Sequence, residues 1–379
     1  MSKKVLLGLS GGVDSAIAAY KLKEQGYEVT GCFMRNWDAM ANNDYLGNPT
    51  INDDVCPQEA DYHDAVKVAQ KLGIPLLRID FIKEYWDNVF EYFLNEYKRG
   101  RTPNPDVLCN KYIKFDSFWK FAVEKGFDYI AMGHYAKKVE KDGHSFLAKP
   151  LDLKKDQTYF LCQVNEEQIS HSLFPMCDIT KVESRLLAEK LGLTEVASKH
   201  GSTGVCFIGE RNFREFLHNY FPATKGNIID IESGKTLGTH MGVLYYTLGQ
   251  HKGLGIGGVK GLGEEAWFVC KKDVKNNILY VANGEEDEHL NSDSSLITDI
   301  NWIGEKPTEP IEVGVKFRYR QADQSCTLLF EGDNVRLLHK EPYKAVTPGQ
   351  FAAFYSTDGR MLGGGIIDQT FYKGKRTDI

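Results

Sequence analysis

"VLLGLSGGVDSAIAAYKLKEQG", residues 5–26, decides the fold. Residues 5–9 are a short apolar run, the pattern of a strand buried on both faces. SGGVDS, residues 10–15, is polar and glycine-rich. Residues 16–25 have helical spacing and stop at Gly26, since glycine accepts the left-handed turn that closes a helix. Strand, glycine turn and helix make the first half of a βαβ unit, and the chain repeats it. Residues 27–34, 74–81 and 129–132 read as further strands. Helices are expected at 59–72, 83–98 and 108–125. The alternation predicts an α/β fold with a doubly wound parallel sheet. The loop at 36–56 is long and polar, and reads as a mobile or substrate-gated segment.

The pattern then changes. Residues 137–149 read as a hairpin around Asp142-Gly143, and 156–191 as mainly helical. Beyond Phe221-Pro222 the chain is β-rich, with turns at Glu232-Ser233-Gly234, Asn283-Gly284 and Asp358-Gly359. Three units are expected: 1–212, a small β-rich middle at 213–290, and 291–379. A length of 379 residues is too great for one ordinary core.

Composition narrows the function classes. Hydrophobic residues at 42% and charged residues at 26% suit a soluble globular protein. The N-terminal apolar run breaks at Gly8 and Gly11, too soon for a secretory leader, and no stretch has the length of a membrane span. The reading is a cytoplasmic protein with no membrane partner. Its eight cysteines are scattered with no C-x-x-C pair, which argues against a disulfide framework or zinc ribbon. A net charge of −6 argues against indiscriminate coating of nucleic acid but leaves room for a local basic face. The histidines show no metal-ligand spacing. The lysine pairs 137–138, 154–155 and 271–272 read as solvated surface, and 253–263 as a flexible glycine loop.

In SGGVDS, two glycines let the backbone close on an anion, and the following helix offers unpaired N–H groups. Ser10 and Ser15 add hydroxyls, and Asp14 is placed to hold Mg²⁺. The loop lacks the lysine of G-x-x-x-x-G-K-[ST] and the spacing of G-x-G-x-x-G. A tight strand–helix turn is the plain alternative. The hexapeptide resembles the pyrophosphate loop (PP-loop) of the N-type ATP pyrophosphatases, which transfer AMP to a substrate oxygen. That resemblance does not specify the substrate.

Two cysteines stand out beside this loop. TPNPDVLCNKYIKF, residues 102–115, places Cys109 in the first turn of a helix, where a thiolate is favoured. Asp106 lies three residues before it. Cys206 sits in STGVCFIGER, residues 202–211, an apolar segment flanked by glycines. Packing is the alternative for both. With an adenylating loop in the same chain, the residue types suit sulfur transfer. AMP makes an oxygen into a leaving group, one thiol carries sulfur, and a second releases it by exchange.

GLSGGVDS (8–15), TPNPDVLCNKYIKF (102–115), MGHYA (132–136), KKDQTYFL (154–161), STGVCFIGER (202–211) and YTLGQHKGLGIGG (246–258) together resemble the tRNA-specific 2-thiouridylase family over nearly the whole chain. The resemblance implies an adenine nucleotide alpha hydrolase-like first domain, a β-rich central domain and a C-terminal β-barrel. It implies adenylation of O2 of the tRNA wobble uridine with pyrophosphate release, then sulfur transfer from a cysteine persulfide and loss of AMP. Gly8, Leu9, Ser10, Gly11, Gly12, Val13, Asp14 and Ser15 would bind ATP with its Mg²⁺, and Met34 and Gly133 would line the adenosine. Asn104, Pro105 and Asp106 would surround the flipped target base. Cys206 would carry the persulfide, and Cys109 would close a disulfide with it, with Asp106 as general acid or base. His134, Lys155, Asp156, Gln157, Arg318, Tyr319 and Gln350 would touch tRNA. The tRNAs implied are those for Lys, Glu and Gln, and the sulfur donor a cysteine desulfurase or a relay protein. No permanently bound cofactor is expected.

Two positions depart from the family pattern. Many members carry cysteine where this chain has Asp106, and Gly-Gln-Arg where it has Gly249-Gln250-His251. Three alternatives stay open on sequence alone: an amide-forming PP-loop ligase, an RNA-binding protein that uses ATP as a switch, and an iron–sulfur cluster on Asp106, Cys109 and Cys206. The cluster has fewer thiolates than the usual four. Arg318-Tyr319-Arg320 suits phosphate contact and base stacking, or an alternating strand with solvated arginines.

Overall fold

The computed structural model describes residues 2–49, 57–198, 212–256 and 265–377. Strand β1 (Lys4–Gly8), helix α1 (Val13–Glu24), β2 (Glu28–Arg35), helix α2 (Pro57–Leu72), β3 (Leu76–Asp80) and β4 (Tyr129–Ala131) follow in order. A hairpin of β5 (Lys137–Lys141) and β6 (His144–Ala148) interrupts before β7 (Ser172–Leu173). The parallel sheet runs β3-β2-β1-β4-β7. Alternation across the pleat explains its two faces. Val5 and Leu7 of β1 pack with Ala16, Ile17 and Val68 of the two labelled helices. Leu6 points the other way, into a cluster with Phe90, Phe93 and Phe118. The sheet is therefore doubly wound, as expected. The helices expected at 83–98 and 108–125 occupy 82–98 and 105–124, each with a π-helical stretch.

The remaining strands form two sheets. β8 (Gly226–Asp230), β9 (Thr236–His240), β10 (Trp267–Asp273) and β11 (Ile278–Asn283) lie in the order β10-β11-β8-β9. β12 (Asn291–Trp302), β13 (Ile311–Lys316), β14 (Gln324–Glu331), β15 (Asn334–Lys344), β16 (Phe351–Tyr355) and β17 (Arg360–Tyr372) close into a barrel through the β12–β17 pairing. β18 (Lys375–Arg376) folds back on β17.

Several expectations need correction. The hairpin turns at Asp142-Gly143 as expected, both residues having positive φ. Its second strand, however, pairs with β17, so it extends the C-terminal sheet. Residues 156–191 are helical in short pieces rather than in long runs: the 3-10 turn Thr158–Leu161, the brief helix Glu166–Ser170 and the helix Lys181–Lys190, with the strand β7 between the last two. Tertiary bonds decide this. Thr158 Oγ1 lies 2.9 Å from Tyr355 Oη, and Gln163 Nε2 donates to the Gly364 carbonyl at 2.7 Å. A Cβ on Gly364 would lie 2.9 Å from that of Cys162, so glycine alone allows the approach. In the described part of the loop at 36–56, Trp37 packs against Tyr85, Phe90 and Phe216 with its indole N–H on Asp44, while Met40, Tyr45 and Leu46 stay exposed. Lys272 is buried rather than solvated. It donates to the Tyr246 carbonyl, and burial pushes its pKa down to about 7.

The barrel is also tied down by an ion pair. Lys316 Nζ meets Asp156 Oδ2 at 2.6 Å, with side chains 8% and 2% exposed. Such a pair contributes little over an apolar substitute, but breaking it strands a charge. Lys316→Met should cost about 3–5 kcal/mol in urea unfolding. Adding Asp156→Asn should recover part of that loss.

Candidate nucleotide and thiol site

From β1 the chain winds outward through β2 and β3, then returns to β4 on the other side of β1. The loops after β1 and β4 therefore diverge, and a crevice opens at the C-terminal edge of the sheet. SGGVDS lies there. Ser15 Oγ donates to the Gly12 carbonyl at 3.0 Å and lies 3.2 Å from both the amide and hydroxyl of Ser10, stapling the loop shut. Gly11 has φ +74°, and a Cβ there would strike the Asp61 carbonyl. Leu9 and Val13 are buried beneath the loop, and the Leu9 amide bonds to the Cys32 carbonyl. No side chain caps α1 at Gly12, so its first N–H groups remain available to an anion.

The other expected nucleotide residues converge here. A Cβ on Gly8 would lie 2.7 Å from Met132 Sδ and 3.0 Å from Met34 Cε. A Cβ on Gly133 would lie 2.9 Å from the Ser15 amide nitrogen and 3.0 Å from the Asp14 carbonyl carbon. Asp14 itself is already engaged. Its carboxylate accepts from Lys181 Nζ at 2.7 and 2.8 Å and from Tyr135 Oη at 3.0 Å. Lys181 is absent from the sequence-based set. The capping signal Thr180-x-x-Glu183 places it at a helix start, but no local pattern links it to a loop 167 residues away.

On the thiol side, Pro105 opens the helix Pro105–Cys109, with Asn104 at its N-cap and Asp106 half-buried in the first turn. Cys109 falls just past that turn, not inside it, and is fully buried. It shares one apolar cluster with Met34 and Met132. Gln350 braces the approach. Its Nε2 donates to the carbonyls of Thr102 (2.8 Å) and Pro103 (3.3 Å), and its Oε1 accepts from Asn104 Nδ2 at 3.4 Å. Cys206 lies outside the described residues.

The expected RNA-contacting residues are dispersed in role. Lys155 is exposed. Both Asp156 oxygens bond inside the protein, to Thr158 and Lys316. Gln157 Oε1 accepts from the Tyr135 amide. Arg318 donates to the Leu248 and Ala345 carbonyls and to Thr347 Oγ1. It lies in the turn after β13, as does Tyr319, whose ring packs 4.5 Å from Phe160. His134 is buried beside Phe115, with Nδ1 unpartnered. Burial, with Lys114 adding, holds its pKa well below the usual 6.5.

Two predictions follow from this geometry. Gly133→Ala should weaken nucleotide binding about tenfold in calorimetry, because the added methyl meets the backbone of Asp14 and Ser15 and the Asp14 Cβ, none of which can swing aside. Below pH 6.5 the unfolded chain takes up a proton that folded His134 refuses, so stability falls as pH drops. His134→Asn should flatten the fall in urea midpoint between pH 7 and pH 5. His240 and His339, lowered likewise by burial, keep part of the slope.

Comparison with known proteins matches three family models in succession: "tRNA methyl transferase HUP domain" over residues 3–210, "tRNA methyl transferase PRC-barrel domain" over 214–283, and "Aminomethyltransferase beta-barrel domain" over 292–367. The tRNA-specific 2-thiouridylase MnmA of Mycoplasma mycoides subsp. mycoides is 53% identical, covering 97% of this chain and 99% of its own. The protein of that name in Pectobacterium atrosepticum is 50% identical, with 97% of each chain covered. A solved 4-thiouridine synthetase–RNA complex with bound ATP is more distant: 14% identity, a TM-score of 0.33, and 57% and 50% of the two chains covered. Half the residues agree with each MnmA relative from end to end, and on that ground the chain belongs to the tRNA-specific 2-thiouridylase family.

Proposed function

We propose that this protein is an ATP-dependent tRNA-uridine 2-sulfurtransferase acting on the wobble uridine. The observation that carries the reading is the phosphate loop itself, whose helix N-terminus no side chain caps and against which Met34, Met132 and Gly133 close. Cys109 on the thiol helix belongs to the same extended apolar core as Met34 and Met132. The names of the full-length relatives point the same way. The methyl-transfer wording of the family models has no counterpart in the loop, whose open N–H groups and hydroxyls suit a polyphosphate.

In this reading ATP lies on residues 8–15 against Met34 and Gly133. Mg²⁺ enters with it, since the Asp14 carboxylate and the hydroxyls of Ser10 and Ser15 are hard oxygen ligands. The target base is flipped out against Asn104, Pro105 and Asp106. Uridine O2 attacks the α-phosphorus, the bond to the β-phosphate oxygen breaks, and pyrophosphate leaves. The outer sulfur of a Cys206 persulfide adds at C2, and the C2–O bond breaks to release AMP. The Cys109 thiolate then attacks the inner sulfur. The S–S bond to the base breaks, leaving 2-thiouridine and a Cys109–Cys206 disulfide, which an external dithiol reduces. Asp106 serves as acid or base for the exchanges.

Lys155 and Tyr319 contact tRNA directly, while His134, buried beside Phe115, and Asp156, Gln157, Arg318 and Gln350 hold the surrounding loops in shape. The tRNAs are those for Lys, Glu and Gln, and a cysteine desulfurase or relay protein loads Cys206. The working division remains 1–212, 213–290 and 291–379, with the chemistry in the first part and the tRNA body held by the others. No helix of the described residues is long and apolar enough to cross a membrane.

The test is mass spectrometry of nucleosides from tRNA incubated with protein, ATP, Mg²⁺ and a persulfide donor. Cys206→Ser should form no 2-thiouridine. Cys109→Ser should load sulfur on Cys206 yet fail to release product. Thiolation by Cys206→Ser at the wild-type level would refute the scheme.

A further inference from the structure

The phosphate loop has no lysine of its own, yet the pyrophosphate it is read to hold is strongly anionic. We propose that Lys181 supplies the missing cation: it waits on Asp14 and transfers its ammonium to the pyrophosphate end of bound ATP. This rests on the nucleotide reading above.

Three observations carry it. First, Lys181 Nζ is bonded to both oxygens of the carboxylate that lies within SGGVDS, on the first turn of α1. Second, its backbone is pinned while its ammonium ends a long flexible stem. Thr180 and Glu183 form a capping box, and the Lys181 amide donates to Asp152 Oδ2 at 2.9 Å. Four methylenes beyond that fixed point let the ammonium move several ångströms. Third, Asp14 keeps a partner when Lys181 leaves. Tyr135 Oη donates to it, and the Tyr135 backbone is clamped in turn by Gln157. Burial and the neighbouring Asp14 push the Tyr135 pKa up, so this hydroxyl keeps its proton. Lys21, on α1, is occupied by Asp178.

The chemistry is electrostatic. As the bond between the α-phosphorus and the β-phosphate oxygen breaks, the electron pair stays on that oxygen. Lys181 donates hydrogen bonds to the leaving group, remains protonated and transfers no proton. Its place on Asp14 before ATP arrives keeps the partly buried ammonium paired, 13% exposed against 34% for the carboxylate.

The test is calorimetric titration of the full chain with inorganic pyrophosphate and, separately, with AMP, which lacks the β- and γ-phosphates. Lys181→Gln should weaken pyrophosphate binding about tenfold or more and leave AMP binding unchanged. Lys181→Arg, which keeps the charge, should recover most of it. Equal losses for the two ligands would mark Lys181 as merely structural and overturn the proposal, as would unchanged pyrophosphate binding. Should Lys181→Gln fail to fold, Asp14→Asn in Mg²⁺-free buffer decides. Retained or tighter pyrophosphate binding supports the role, and loss in step with AMP overturns it. If the wild type binds neither ligand, the nucleotide reading falls and this proposal with it. If it binds both and only Lys181 proves indifferent, the nucleotide reading stands.

Discussion

Two backbones meet where Gly133 packs against Asp14 and Ser15, and much of the site depends on that contact. No side chain fits between the loop after β4 and the first turn of α1. The approach sets the width of the crevice and holds Tyr135 within reach of Asp14. It also brings Met132 to Gly8, so that the loop's floor is apolar while its rim is lined with N–H groups and hydroxyls. A polyphosphate at such a rim is bound by fixed dipoles, which need no reorganisation when charge develops.

From Tyr135 the bonds continue outward. Gln157 clamps the Tyr135 backbone, Asp156 beside it pairs with Lys316 of the barrel, and Thr158 meets Tyr355. The short turns at 153–161 thus join the loop's rim to the C-terminal barrel, and the β5–β6 hairpin reinforces the joint by adding to β17. Polar residues expected to contact RNA act as braces in the structure. Arg318 and Gln350 spend their donors on carbonyls of neighbouring loops, which fixes the shape of the surface that a tRNA would meet.

Much of this was legible in the residues. The apolar run, paired glycines and helix of 5–26 announced a parallel α/β sheet, because each obeys local rules of burial and backbone freedom. The hairpin at Asp142-Gly143 followed from turn chemistry alone. Segment 156–191 keeps its helical character only in short pieces, because tertiary bonds with the barrel interrupt it. Lys272 misled, since a lysine pair looks solvated until its neighbours cover it. Cys109 sits three places deeper in its helix than a start at residue 108 would put it, because Pro105 takes the first helical position.

By itself, then, the sequence determined the order of units, the phosphate loop and the two cysteines singled out for sulfur chemistry. These are properties of short stretches, and local sterics and hydrogen bonding suffice to read them. Only the tertiary structure decided which distant side chains share a site: Lys181 and Tyr135 on Asp14, Gln350 beneath Asn104, Lys316 on Asp156. Those pairings join residues 121 to 246 positions apart. They exist because a parallel sheet and a closed barrel bring remote loops to one edge, which no local pattern encodes.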